Sequence, residues 1–519
     1  MTDRIRLNDG NRRWWTLAAM CFALFMIMLD NTVVNVALPS IQDDLGASLS
    51  GLEWTVNAYT LTFGVLLVTG GRLGDIFGRR RMFLFGVVVF ALSSAAIGLA
   101  PDQAWLVAGR AIQGVGAAFM MPATLSIITN AFPPHERGKA IGTWAGVSAL
   151  ALAIGPVVGG ALAEYVSWRA IFFLNLPVAA GAVAVTLFAT HESRDETTEH
   201  HVDYPGIFAL STGLTALVLA LVEGNAWGWG SPEIVGLLVL SLVGLVAFAV
   251  LEARVREPMV DFSFFRSRTF LGANAVAFIV TFSMLAMFFF IALYMQNILG
   301  YSAVEAGVRF LPSTVMIVLV APLAGRLADR VGPRPLMVTG LSLTTIALLL
   351  QTRIDVGTGY GLILPSFIVM GIGMALVMSP MSTAAMNSVS ADKAGVASGI
   401  LSMSRMVGGT FGVAAIGALF QHLARNELQQ NLAGTGVSAA VRERIVDNLG
   451  SGSSGNLPPQ AAEAAQNAFV HALSNGMWLS AGVAAAGVLI ALFMIAPKGA
   501  ESLDPARLPE AAAEVAAPS

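Results

Sequence analysis

Cysteine is nearly missing from this 519-residue chain: Cys21 is the only one, and it sits inside an apolar run. A disulfide framework and a cysteine-ligated metal site are thereby excluded. Charge is scarce too. Asp, Glu, Lys and Arg make up 12% of the residues, against about 25% in a soluble domain, and the mean hydropathy is +0.72. So few polar side chains cannot clothe a water-soluble globule. A net charge of -3 gives no basic field for nucleic acid. There is no phosphate loop with its lysine, no Gly-x-Ser-x-Gly elbow and no His-Glu-x-x-His helix. His191, His200 and His201 flank an acidic loop without ligand spacing. An ATP-driven pump, an enzyme, a metal site and a bound cofactor all lack support, and no obligatory protein partner is evident.

What the chain does have is apolar runs of about 20 residues, the length that crosses a bilayer as a helix. Fourteen start near Trp14, Glu53, Met82, Ala104, Lys139, Ala170, Tyr204, Glu233, Thr269, Val304, Pro335, Tyr360, Gly395 and Asn475. This pattern predicts an all-α polytopic membrane protein. The first run follows Arg12 and Arg13 as a signal peptide would, but at about 25 residues it exceeds a cleavable core of 7 to 15 and reads as a retained anchor. The seventh is diluted by Ser211, Thr212, Gly213 and Thr215, yet holds no charge between Asp203 and Glu223.

Orientation follows from where the 29 Lys and Arg fall, because cytoplasmic loops keep positive charge. With the N-terminus inside, only Arg169, Arg309, Arg353, Arg425, Arg442 and Arg444 fall outside, and Arg110 and Arg405 lie within helices. Both termini are therefore expected in the cytoplasm. The expected divisions are a cytoplasmic N-terminus (1–13), a six-helix half (14–190), two inserted helices with their loops (191–252), a second six-helix half (253–496) and a disordered cytoplasmic tail (497–519). The second half includes a polar extracellular segment, 421–474, in which Gly450 to Gly455 reads as a linker. Ser438 to Leu449 and Pro459 to Leu473 read as short surface helices.

The segment Gly71 to Arg80, at the inner end of helix 2, recurs as Gly325 to Arg334 at the inner end of helix 10. Gly71, Arg72, Leu73, Asp75, Gly78 and Arg80 match Gly325, Arg326, Leu327, Asp329, Gly332 and Arg334, whereas Pro333 stands where Arg79 would be. An offset of eight helices puts both copies on the same side, so the two halves are parallel repeats. Glycine permits the tight turn, and Asp75 can pair with an arginine or with the N-terminus of a neighbouring helix. Such a group could latch the inner ends together.

Asp30 is a carboxylate in the middle of an apolar helix, where an ionisable residue costs about 2.5 to 3.5 kcal/mol to insert. A proton or cation site is the expected reason, and a structural ion pair the alternative. Arg110 on helix 4 lies at similar depth, and Asn31, Asn35 and Gln113 extend the polar group. Movement of Asp30 relative to Arg110 would switch proton affinity. In helix 5, Gly155-Pro156-Val157-Val158-Gly159-Gly160 reads either as small-residue packing or as a bend at Pro156 that shapes a cavity. Arg405 on helix 13 has no acidic partner in view, which leaves structural pairing and substrate contact both open. Tyr59, Trp144 and Tyr294 read as core or lipid-facing residues, a subset of which could line an adaptable apolar site with Met378 and Phe288 to Phe290. Glu223 and Glu233 read as solvated charges at outer helix ends.

Taken together, these residues resemble the fourteen-helix drug:proton antiporter family of the major facilitator superfamily. Leu29 to Pro39 is similar to its helix 1 signature, Gly71 to Arg80 to its loop motif, Leu106 to Gly116 to its helix 4 motif and Gly155 to Gly160 to its antiporter motif. Trp168 to Pro177 is similar to the segment before its helix 6. The resemblance is specific in the first six helices and rests on the repeated loop thereafter. It implies a major facilitator fold and proton-driven export of small lipophilic drugs through the cell membrane, with Asp30 as protonation site and Arg110 as its partner. A narrow metabolite exporter or importer on the same fold is the alternative reading, since fold does not fix substrate. A receptor or scaffold would have no need of the buried Asp30 and Arg110.

Overall fold

The computed structural model describes residues 9–195, 202–255, 258–431 and 459–498. Fourteen helices account for nearly all of them: α1 (Asp9–Leu45), α2 (Leu49–Phe77), α3 (Arg79–Gly98), α4 (Gln103–Ala131), α5 (Pro134–Tyr165), α6 (Trp168–Ala189), α7 (Tyr204–Trp227), α8 (Pro232–Glu252), α9 (Arg268–Asn297), α10 (Ala303–Val331), α11 (Pro333–Gln351), α12 (Tyr360–Asn387), α13 (Ala394–Asn431) and α14 (Pro459–Met494). Each is long and apolar enough to cross a membrane. Helix is the outcome because the bilayer interior offers backbone groups no water, so each segment must satisfy its own N–H and C=O groups. Side chains at the starts finish the accounting. Ser48, Asp102, Ser167, Asp203, Ser231, Ser267 and Ser302 each accept a backbone N–H from the first turn of the helix they open, as N-cap residues do.

The packing repeats. In the first half α1 packs on α5 and α6, α2 on α4, and α3 on α4 and α6; in the second α9 packs on α13 and α14, α10 on α12, and α11 on α12 and α14. The halves meet through α5 with α10 and α2 with α13, while α7 and α8 pack on each other and α7 also touches α2 and α13. Equivalent turns close the repeated segments. Gly78 between α2 and α3 has φ +108, and Gly332 between α10 and α11 has φ +87, a region that glycine alone enters freely.

Both described chain ends lie on one face of the bundle. Arg13 of α1 pairs with Glu136 of α5 at 2.7 Å, and Lys498 donates to the carbonyls of Asp329 and Arg330 at 3.1 and 2.6 Å.

Two expectations need correction. The fourteenth helix begins at Pro459, well before Asn475, and α13 runs on to Asn431; polar residues such as Gln460 and Glu463 had disguised the former as a separate surface helix. Ser438 to Leu449, the Gly450 to Gly455 stretch and the tail beyond Lys498 lie outside the described residues. Glu223 is buried within α7 rather than solvated, because that helix continues to Trp227 and Glu223 falls inside it; Glu233 is exposed as expected.

Candidate functional site

Asp30 and Arg110, far apart in sequence, meet in a dry cluster inside the first half. Asp30 is 2% exposed and Arg110 1%. Arg110 Nη1 donates to Asp30 Oδ2 at 2.5 Å and to Gln113 Oε1 at 2.6 Å. Gln113 Nε2 closes the ring on Asp30 Oδ1 at 3.0 Å, and Asn175 of α6 adds a donor to that oxygen at 3.2 Å. Ser94 of α3 accepts from both amides, at 2.8 and 3.2 Å. The guanidinium is fixed from two further sides: Nε donates to the Thr55 carbonyl at 3.0 Å, and the Tyr59 ring lies beneath it, its centroid 4.2 Å away. Five helices thus supply the groups around one carboxylate. Three hydrogen bonds, one of them from the facing cation, offset the burial of this carboxylate, and separating α1 from α4 would remove that compensation.

Asn31 stands at the edge of this cluster, beside the Tyr59 hydroxyl, and Asn35 does not join it. Asn35 is exposed and its amide turns back to the Asn31 carbonyl at 3.0 Å. The sequence reading missed Ser94, Thr55 and Asn175, although Asn175 lies within the quoted Trp168 to Pro177 segment. A single polar residue in an apolar helix gives no hint of its partner.

At the chain-end face the two repeated segments do the same thing to opposite halves. Asp75 of α2 accepts the N–H groups of Gly395 and Val396, at 2.9 and 2.8 Å, at the start of α13. Asp329 of α10 accepts those of Gly138 and Lys139, at 2.9 and 3.0 Å, in the second turn of α5. N–H groups near a helix start donate beside partial positive charge, so a carboxylate facing them is both hydrogen-bonded and electrostatically favoured. The copies differ in one respect. Arg79 donates to Asp75 Oδ1 at 2.8 and 2.6 Å and to the Asp392 carbonyl at 2.5 Å, whereas Pro333 holds the equivalent place beside Asp329. Arg80 faces the strap after α6, its N–H donating to Glu192 at 3.0 Å, and Arg334 makes no hydrogen bond to Asp329. Gly71 lets α2 and α13 touch, since a Cβ there would stand 2.2 Å from the Gly395 carbonyl oxygen. On the other side a Cβ on Gly325 would stand 2.0 Å from the Gly138 carbonyl oxygen. Every described hydrogen bond between the halves lies toward this end, Arg137 with Asn387 at 2.9 Å among them.

A further tie leads into α13. Lys393 pairs with Asp261 at 2.5 Å. Burial pushes the Asp261 carboxyl up, but hydrogen bonds from Lys393 and Ser263 outweigh it and hold the group below its ordinary range. A carboxyl lowered in the folded state contributes above its unfolded value. That contribution is therefore lost as the pH falls through the lowered one.

In the Gly155 to Gly160 segment, Gly155 and Gly159 bring α5 against α1: added Cβ atoms would stand 1.8 Å from Thr32 Oγ1 and 3.0 Å from Val33 Cα. Gly160 is less tight, 3.7 Å from Val36, and the Pro156 side chain lies outside the described residues. Close packing is thus a role these glycines have. Trp144 is buried and donates to Thr124 at 3.2 Å. Tyr294 is buried, and its hydroxyl shares its proton between the carbonyls of Asp355 and Thr358, at 2.8 and 2.7 Å, and so pins the turn between α11 and α12. Arg405 is half-buried, donates to Ser382 and keeps a buried Nε with no hydrogen-bond partner. Among the described residues no group of three or more His, Cys, Asp or Glu could hold a metal ion.

With this geometry in place, comparison with known proteins is informative. The sequence profile of the Major Facilitator Superfamily matches residues 20–413. A tetracenomycin C resistance and export protein of Streptomyces glaucescens is 35% identical over 486 residues, covering 92% of this chain and 90% of the relative. A puromycin resistance protein of Streptomyces alboniger is 40% identical over 412 residues, covering 78% and 81%. The fold is shared with the human organic anion transporter MFSD10 at a TM-score of 0.60 and 15% identity, over 91% of this chain and 99% of that one. These matches bear out the resemblance to drug:proton antiporters drawn from the motifs, and the chain belongs to the Major Facilitator Superfamily.

Proposed function

We propose that this protein is a proton-coupled antiporter that exports small lipophilic drugs or toxic compounds from the cytoplasm. The observation that carries the reading is the buried cluster of Asp30, Arg110 and Gln113, an acid and a base closed off from water. A membrane protein has little reason to bury such a pair unless its charge changes during work. The names of the relatives support drugs as substrate class. By the positive-inside rule the chain-end face is cytoplasmic, both termini are inside the cell, and the membrane is the cytoplasmic one.

In the conformation described, the cytoplasmic end is sealed by the caps at Asp75 and Asp329, with Asp30 held by Arg110. Reversal of the transporter breaks the caps and shifts helices within the first half. Before that reversal Asp30 exchanges its cation for a proton taken from the outside, and its return to Arg110 once the cytoplasmic end has opened releases that proton as substrate binds, which ties proton entry to substrate exit. Arg405, with its free Nε, is a candidate contact for polar or anionic parts of a substrate.

The experiment is transport in inside-out vesicles, with an imposed pH gradient as the only energy source. Accumulation of a lipophilic dye that collapses with the gradient is the expected result; accumulation indifferent to it refutes proton coupling. Arg110 offers a finer check. Arg110→Ala should lower gradient-driven transport at least tenfold, and Arg110→Lys should recover only part of it, because lysine keeps the charge but cannot reach Asp30, Gln113 and the Thr55 carbonyl together. Full activity in Arg110→Ala would remove the pair from the mechanism.

A further inference from the structure

The chain-end face holds a cavity that neither the proton site nor the latches use. It has a volume of about 370 Å³ and lies between the starts or ends of α1, α4 and α6 and the strap that follows α6. Its polar lining is mostly donors: Arg12, Arg13, Asn130, Thr190, His191 and Ser193. The charges do not balance locally. Arg13 is paired with Glu136, whereas Arg12 has only the ring of His191 as a side-chain partner among the described residues. The Nε atoms of both arginines are buried without a hydrogen-bond acceptor among the described residues. Glu192 also borders the cavity, but its oxygens are taken by the N–H groups of Arg80 and Arg81, at 3.0 and 3.2 Å.

Two arginines with unspent donors, hydroxyls beside them and a place on the chain-end face, which is cytoplasmic on the topology proposed above, specify the missing acceptor. We infer that this cavity binds a phosphate-bearing anion. Guanidinium groups match phosphate oxygens in pairs, and basic pockets between helices on the cytoplasmic side are places where acidic lipid headgroups lodge. A phosphodiester of an anionic phospholipid fits both the chemistry and the position, and a free phosphate would use the same donors.

The site also has a mechanical address. The strap that forms one wall passes beneath the repeated segment: Arg79 N–H donates to the Ser193 carbonyl at 2.9 Å, and Asp195 N–H to the Asp75 carbonyl at 2.8 Å. Asn130, on another wall, reaches the Ala391 carbonyl in the opposite half at 3.3 Å. An anion bound there ties α1 to the strap and so reinforces the sealed conformation.

The test uses the whole purified protein in detergent and does not depend on transport. Unfolding temperature is followed while dioctanoyl phosphatidylglycerol, dioctanoyl phosphatidylcholine or inorganic phosphate is titrated. Saturable stabilisation by phosphatidylglycerol alone identifies a lipid site, and equal stabilisation by inorganic phosphate identifies a soluble source. Either should weaken at least tenfold in Arg12→Gln and less in Arg12→Lys. Should Arg12→Gln fail to fold, Ser193→Glu, which brings a negative charge to the lining, should have the same effect. The inference is overturned if phosphatidylcholine stabilises as well as phosphatidylglycerol, if neither anion stabilises, or if a folded variant matches the parent.

Discussion

Asp30→Asn should abolish transport driven by a pH gradient while leaving the protein inserted and folded. The substitution keeps the size of the side chain and one acceptor oxygen for Arg110, but it removes the only group in the cluster that can take up a proton. Its cost to stability is bounded. Breaking a buried ion pair by removing one partner typically costs about 3 to 5 kcal/mol, and here Arg110 retains Gln113 Oε1 and the Thr55 carbonyl. Part of that cost is therefore offset. A monodisperse elution profile separates loss of coupling from loss of fold. Exchange of labelled for unlabelled substrate without a gradient should survive in Asp30→Asn, since it needs binding and helix movement but no proton. Gradient-driven accumulation at the parental rate would move the proton site elsewhere.

The parts of this machinery differed in how plainly the sequence announced them. Helix number and type were legible because a bilayer permits few other solutions, and runs such as Arg268–Asn297 carry the signal unaided. Asp30 and Arg110 were legible because charge in such runs is costly. Their meeting could be argued from depth, although α1 extends to Leu45 and Asp30 sits nearer its middle than the apolar run suggested. Asn175 and Ser94 could not be placed, since polar residues of this size are tolerated in many helices without a shared site. The latch illustrates the same limit. The repeat pointed to Asp75 and Asp329, but their acceptor role depends on the N–H groups of Gly395, Val396, Gly138 and Lys139, and backbone groups have no sequence signature. Tyr294 shows the limit again: its aromatic character left core and cavity wall both open, and the turn that its hydroxyl holds is made of carbonyls without a sequence signature.

The difference between the two copies of the latch leads to the second large effect. Both Asp75 and Asp329 accept two backbone N–H groups of a helix in the opposite half, and asparagine, with a single acceptor oxygen, leaves one of the two unpaired at a cost of about 1 to 3 kcal/mol. Asp75 carries in addition the buried partnership with Arg79, whose guanidinium is 1% exposed and also holds the Asp392 carbonyl. Asp75→Asn strands that cation in a dry site, a loss of several kcal/mol by the measure of other buried pairs. Asp329→Asn strands no arginine, because Pro333 stands where Arg79 stands in the other copy. With about 1.4 kcal/mol for each factor of ten, Asp75→Asn should shift the sealed conformation at least tenfold toward the open one. The shift for Asp329→Asn should be several times smaller. Spin labels on the two halves at the chain-end face would read this as a longer distance population, and turnover in vesicles should fall in the same order. Substrate Kd should change little in either variant, since both carboxylates lie toward the end of the bundle and away from the Asp30 cluster. Equal shifts in the two variants would deny Arg79 its part in the latch, and a large loss of affinity with normal cycling would place Asp75 in the substrate path instead.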